Sequence, residues 1–474
     1  MKVSSPNFKE NAHHALNDTQ LQKALGHVRN NFTGKRAKAR QDLPEFDELR
    51  DNARAIKDHT LKYLDFYLEH YEKKVIESGG KVHWAADAAE ARGIVMDICR
   101  KTNARTVTKG KSMISEEIGL NELLEANNIL PVETDLGEYI IQLRGENPSH
   151  IIAPAVHLNI DQVRDEFKKA HTHLSKNRPM AEPEMLLREA REILRQKFLT
   201  ADLGITGANF LVAETGSSLI VTNEGNGDLT QILPRVHVVL ASIEKIVPTL
   251  EDLAQITRVL ARSATGQEIT VYSTLSTGPR RKEDEDGPEE YHVVLLDNGR
   301  SSMLGSEFSE MLRCIRCGAC MNHCPVYQAV GGHAYGWVYP GPMGAVLTPS
   351  LIGVDQAGHL PNASTFCGRC EAVCPMRIPL PKMMRSWRES EFERHLVPSA
   401  HRKNLAIWAW FAKHRRFYRL ATSLAARILA MWGGSSKRIT KLPMAGGWTE
   451  HRILPAPEGA TFMKLYKRRL RKSK

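Results

Sequence analysis

Seven of the chain's eight cysteines lie in two short runs, CIRCGACMNHCP at residues 314–325 and STFCGRCEAVCP at 364–375. Aligned on their final Cys-Pro, Cys317 matches Cys367, Cys320 matches Cys370 and Cys324 matches Cys374, whereas Cys314 is met by Ser364. Thiolates hold iron–sulfur clusters, and a Cys-x2-Cys-x2-Cys-x3-Cys-Pro run sets three sulfurs around one cluster while its fourth serves the other. The spacing therefore predicts one cluster on Cys314, Cys317, Cys320 and Cys374. It predicts a second on Cys324, Cys367 and Cys370, with Ser364 at the remaining corner.

Two zinc sites are the competing chemistry, because Cys-x-x-Cys serves both metals. The doubled run with proline after each last cysteine is the more specific signal for iron and sulfide. A neutral hydroxyl is a poorer ligand than a thiol that the metal readily deprotonates. The second cluster is thus expected either as a [4Fe-4S] form with an oxygen at one corner, or as a labile or [3Fe-4S] form. Alternatively, Ser364 caps the turn at Cys367 and another residue supplies the ligand. His323 stands beside Cys324 and is expected to be a surface or supporting residue. The 42 residues between Cys324 and Cys367 include GGHAYGWVYPGPMG, whose glycines are expected to let backbone amides approach the cluster sulfurs.

Other motifs carry less. RTVTKGKS at 105–112 ends like a phosphate loop but has Arg105 where the first glycine belongs. Lys109 and Lys111 are left as a solvated turn or a small-anion site. GITGAN at 204–209 is no dinucleotide fingerprint, so neither flavin nor nicotinamide is expected here. Glu214 and Glu224 sit at expected strand ends, where a CoA-transferase-like role rests on fold analogy alone. Without a hydride acceptor, the chain is expected to move electrons rather than break a substrate C–H bond. Catalytic residues are unassigned.

These cysteines must be positioned by a multidomain chain of α/β and α parts. Residues 1–75 read as a helical segment, with Leu61, Leu64, Leu68, Tyr71 and Val75 on one stripe. Residues 76–298 alternate strands (KVHWA, RTVTKG, VHVVLAS, ITVYSTL, YHVVLLD) with helical stretches, which argues for a largely parallel sheet with helices on both faces. GPRRKEDEDGPEE between the last two strands reads as a solvated loop. Residues 299–395 form the cysteine domain and 396–474 a basic helical tail. Cys99, alone in a helical pattern, reads as a buried thiol.

Composition adds bounds. Residues 401–474 hold 18 Lys and Arg against Glu450 and Glu458, so the net +11 of the whole chain leaves the first 400 residues acidic. No run nears the roughly 18 apolar residues of a spanning helix, and MKVSSPNFKENAHH lacks the apolar core of a signal peptide. A cytoplasmic protein is expected. In the tail, Ile407, Trp410, Phe411, His414, Tyr418, Leu424, Ile428 and Trp432 share one helical stripe. A helix packed on the protein's own core is the first reading, peripheral contact with anionic lipid or an acidic partner the second. The acidic body argues against nucleic acid.

The chain resembles the lactate utilisation protein B family along essentially its whole length. TKGKSMISEEIGLNELLE, GITGANFLVAETGSSLIVTNEGN, both cysteine runs, GGHAYGWVYPGPMG and the basic tail carry the resemblance. It implies an iron–sulfur electron-transfer subunit in the oxidation of L-lactate to pyruvate, working with two companion proteins and carrying two [4Fe-4S] clusters. It further implies an α/β domain like that of ribose-phosphate isomerases and CoA transferases, followed by a helical two-cluster ferredoxin-like domain. The three-cysteine second run belongs to the family pattern. The electron acceptor is unidentified. The competing readings are an iron–sulfur subunit of another oxidoreductase, such as a glycolate oxidase or heterodisulfide reductase relative, and a zinc-stabilised binding protein.

Overall fold

The computed structural model describes residues 3–175, 177–442, 446–449 and 452–472. It divides into two compact units, Met1–Glu391 and Phe392–Lys474. In the first unit ten strands follow in chain order: β1 (Lys81–Ala85), β2 (Thr106–Gly110), β3 (Leu130–Glu133), β4 (Leu203–Thr206), β5 (Phe210–Val212), β6 (Ser217–Thr222), β7 (Val236–Ser242), β8 (Ile246–Val247), β9 (Tyr272–Ser276) and β10 (Glu290–Leu296).

Six of them form one sheet in the order β1-β10-β7-β4-β2-β3, and every neighbouring pair is parallel. A sheet covered on both faces needs apolar side chains on both, so its central strands carry near-continuous hydrophobic runs. On one side, Val236, Val238, Leu240, Val294 and Leu296 pack with Ala91, Val95 and Leu120 of the covering helices. On the other, Val239, Ala241, Val293 and Leu295 meet Leu64, Leu68, Tyr71 and Val75 of the helix Leu64–Glu77.

The second sheet, β8-β5-β6-β9, has no counterpart in the sequence reading. ITVYSTL, expected within the parallel alternation, supplies β9 and runs antiparallel to β6. The tight β5–β6 connection turns at Gly216 with φ of +69°, where a Cβ would lie 2.6 Å from the Lys74 carbonyl carbon. Only glycine satisfies both conditions.

The earlier helices Phe8–Asn17 and Phe46–Lys62 join the cysteine region in a single core. Phe8, Phe46, Leu49 and Ala53 are buried with Met311, Tyr327, Tyr339 and Trp387. Trp387 stacks on Phe308 at 4.1 Å between ring centroids and donates its indole N–H to the Val346 carbonyl at 3.0 Å.

In the second unit, the helices Ser399–Lys413 and Arg415–Gly433 are separated at His414, whose φ of −102° and ψ of 88° leave helical geometry. The stripe expected to pack on a core is instead exposed: Ile407, Trp410, Tyr418, Leu424, Ile428 and Trp432 all face solvent. Among the described residues no helix is long and apolar enough to cross a membrane.

Candidate metal centre

The two cysteine runs repeat the same backbone. Arg316 and Phe366, each directly before a cysteine, have φ of +58° and +54°, and Gly318 and Gly368, each directly after it, have φ of +71° and +77°. Left-handed geometry is uncommon for side-chain-bearing residues and persists where surrounding structure enforces it. After each turn comes a short helix, Ala319–Asn322 in one run and Arg369–Val373 in the other.

Two cavities divide the sulfurs. Cys314, Cys317 and Cys320 line one together with Cys374 of the second run. Cys367, Cys370 and Ser364 line the other together with Cys324 of the first run. Among the described residues no three His, Cys, Asp or Glu side chains converge at the spacing of a single metal ion. The first group has Cys317, Cys320 and Cys374 buried and Cys314 half-buried; the second has Cys324 and Cys370 buried beside an exposed Cys367.

Backbone amides already point at the sulfurs. Cys317 accepts from the N–H of Ala319, Cys324 from those of Val326 and Tyr327, Cys370 from that of Glu371, and Cys374 from those of Met376 and Ile378. Such hydrogen bonds stabilise thiolates and tune the potential of a bound cluster. These donors lie within each run or in the two or three residues just after it. The glycines of the intervening segment serve close packing: a Cβ on Gly332 would meet the Ser149 carbonyl at 1.7 Å, and one on Gly344 the Tyr339 carbonyl at 1.6 Å. The segment's contribution to a sulfur is the Tyr335 hydroxyl, hydrogen-bonded to Cys324.

Burial, and then repulsion from neighbouring thiolates, pushes the Cys370 thiol up to about 12. Burial likewise pushes Cys374 up to about 11, and Cys317 and Cys320 are also raised. Without a metal the thiols stay protonated; iron would displace those protons. Cys99 is a buried thiol apart from both runs, raised by burial to about 11.

Sequence reasoning missed the cations that clamp this region. Arg50, 3% exposed, donates Nε and Nη2 to the Cys374 carbonyl at 3.1 and 2.6 Å, and Nη2 also to the Ala372 carbonyl at 2.9 Å. Arg36 reaches the Val373 carbonyl at 2.8 Å.

Ser364 lines the second cavity, and its Oγ accepts the Phe366 N–H at 3.1 Å, which closes the local turn. His323 lines neither sulfur cavity; its Nδ1 lies 2.9 Å from the Ala319 carbonyl.

Lys109 is no solvated turn. It is 1% exposed and bonds Glu133 at 2.6 Å, Asn121 at 2.6 Å and Glu116 at 3.3 Å. Lys111 pairs with Asp135 at 3.2 Å and Glu224 at 3.3 Å. Glu214 accepts the Leu250 N–H at 3.0 Å, at the start of the helix Leu250–Ala264.

A larger cavity of about 150 Å³ opens where the parallel strands end. Lys111 follows β2, Asp135 follows β3, Gly207 follows β4 and Lys245 follows β7. Arg316 and Cys317 of the cysteine region also line it. Open α/β sheets place ligands at this carboxyl edge.

A parallel α/β body joined to a doubled cysteine run defines an iron–sulfur protein of mixed architecture. Residues 68–296 match the LUD domain, residues 310–378 the 4Fe-4S dicluster domain, and residues 369–471 the C-terminal region of lactate utilisation protein B. The chain is 41% identical over 476 residues to lactate utilization protein B of Macrococcus caseolyticus, covering 100% of this chain and 99% of that one. It is 42% identical over 472 residues to the protein of that name from Lysinibacillus sphaericus, with 99% and 98% covered. It is 39% identical over 468 residues to the uncharacterized electron transport protein YkgF of Escherichia coli K12, again with 99% and 98% covered. The chain belongs to the lactate utilisation protein B family.

Proposed function

We propose that the chain is the iron–sulfur electron-transfer subunit of a system that oxidises L-lactate to pyruvate. The observation that carries this reading is the division of seven cysteines and Ser364 between two adjacent cavities, each drawing its last cysteine from the other run. Cys314, Cys317, Cys320 and Cys374 would hold the buried cluster; Cys324, Cys367 and Cys370 would hold the outer one, with Ser364 at its fourth corner. When bound, such clusters supply one-electron transfer. The residues of the chain set protonation, hydrogen bonding and access: amides and Tyr335 donate to the sulfurs, and exposed Cys367 marks the edge nearest solvent. We infer a cytoplasmic protein acting with two companions and handing electrons to an acceptor yet to be identified. Six parallel strands with a carboxyl-edge cavity support a ribose-phosphate isomerase or CoA-transferase type of α/β domain. Family membership and the electron-transport relative favour this reading over a glycolate oxidase or heterodisulfide reductase subunit.

Anaerobic purification with iron, sulfide and zinc analysis tests the metal assignment, and equimolar zinc without acid-labile sulfide would overturn it. Growth of a deletion strain on L-lactate tests the pathway. Loss of growth is expected; undiminished growth in a strain with no second lactate oxidase refutes the reading.

A further inference from the structure

The cavity at the strand ends contains two cations that the fold leaves incompletely paired. Lys245 is 7% exposed and, among the described residues, has no hydrogen-bond or salt-bridge partner. Arg316 gives Nη2 to Glu244 at 3.2 Å and rests over the Tyr339 ring at 4.6 Å, while its buried Nη1 has no hydrogen-bond partner. Nearby, Arg300 is bound by Glu117 at 2.7 Å and Glu244 at 3.0 Å. Three cations, Lys245, Arg300 and Arg316, therefore stand around two carboxylates, Glu117 and Glu244, while a fourth, Lys57, is held by the backbone carbonyls of Glu244 and Ile246. A buried uncompensated cation is costly and is relieved by an anion.

The rest of the lining does not supply that anion. Asp135 is engaged by Lys111 at 3.2 Å. Glu138 is held well above the ordinary carboxylate range by burial and by the charges of Glu133, Asp135 and Glu116, which disfavours its charged form. Asn209 accepts the Val221 N–H through Oδ1 at 3.0 Å, which leaves its amide Nδ2 as a donor.

We propose that this cavity binds a short 2-hydroxy- or 2-oxocarboxylate, with Lys245 and Arg316 on the carboxylate and Asn209 on the neighbouring oxygen, beside Cys317. The choice of hydroxy or oxo acid rests on the lactate reading; the anion site rests on the cavity alone. At about 150 Å³ the space admits a molecule of a few heavy atoms, against roughly 300–1,000 Å³ for drug-sized sites. The site adjoins the buried sulfur group rather than the exposed one. The rival role for Lys245 is to balance the negative charge of a cluster near Cys314.

Equilibrium dialysis of the anaerobically purified holoprotein with labelled L-lactate and pyruvate, with sulfate as competitor, tests the site. Saturable binding is expected. Lys245→Met should weaken it at least tenfold and Asn209→Ala several-fold, with iron content and the visible spectrum unchanged in both. Should Lys245→Met lose iron, Asn209→Ala alone decides. The proposal falls if the wild-type holoprotein binds neither acid, or if Asn209→Ala binds like wild type. It also falls if Lys245→Met shifts the reduction potential while binding is unaltered. Absence of binding in a protein whose deletion still abolishes growth on L-lactate would leave the functional reading standing and remove only this site.

Discussion

The guanidinium of Arg316, one residue before Cys317, lies 3.2 Å from the carboxylate of Glu244, two residues beyond the end of β7. The same carboxylate meets Arg300 at 3.0 Å, and Arg300 is paired in turn with Glu117, which accepts the Tyr339 hydroxyl at 2.5 Å. A largely buried charge network thus ties the α/β sheet to the cysteine region. Breaking a buried pair by removing one partner costs about 3–5 kcal/mol. Arg300→Leu removes the cation shared by two carboxylates, leaving Glu244 to Arg316 and Glu117 to Tyr339 and Asn298, and should destabilise the first unit by about that range in urea unfolding; a loss below about 1 kcal/mol would show that the network is incidental.

The crossing of the last cysteines has a direct consequence. Cys374→Ala should remove the buried cluster and leave the outer one, although Cys374 lies in the outer cluster's run. Cys324→Ala should do the reverse. Iron analysis with EPR of the reduced variants distinguishes this from each run holding its own cluster, for which the two outcomes would be exchanged.

Ser364 should leave one iron weakly held. Mild oxidation of the wild type is expected to yield a three-iron EPR signal that ferrous iron and reductant reverse, and Ser364→Cys should suppress it. If oxidation removes no iron from either the wild type or Ser364→Ala, Ser364 acts only through its hydrogen bond to the Phe366 N–H.

Acid should destabilise the first unit through its buried histidines. Burial, then the charge of His292, pushes His237 down to about 3, and burial pushes His150 down to about 4. Both sit below the unfolded value of 6.5, so the unfolded chain takes up protons first and stability falls as pH drops below 6.5. The slope is about 1.4 kcal/mol per pH unit for each group. Urea unfolding between pH 7 and 5 should show it, and His237→Gln, unable to protonate, should flatten it by one group's share.

The tail should bind anionic surfaces. Trp408, Trp410, Phe417 and Trp432 are exposed on the helices of a strongly basic unit, the pairing of aromatic and cationic groups that suits a lipid interface. Binding to anionic vesicles should weaken as salt shortens the Debye length from about 10 Å at 0.1 M to about 3 Å at 1 M. Equal and negligible binding to anionic and neutral vesicles at low salt would remove this role.

The metal chemistry and the sheet class were legible in the chain itself. Cysteine spacing is a local property, since ligands within one turn must lie close together, and near-continuous apolar strands between amphipathic helices can form little but a covered parallel sheet. Leu64, Leu68, Tyr71 and Val75 announced their burial by helical period alone. The second sheet was not legible, because β5 and β8 are too short to show a period and β9 is largely exposed. Nor were the roles of Arg36, Arg50, Lys109 and Lys245, since whether a cation is solvated, clamped to a carbonyl or left facing a cavity depends on partners that the fold brings in from other elements. Sequence spacing showed which residues can bind metal. Which charge is left without a partner, among the described residues, beside Cys317 is decided only when distant strands and helices close the same buried space.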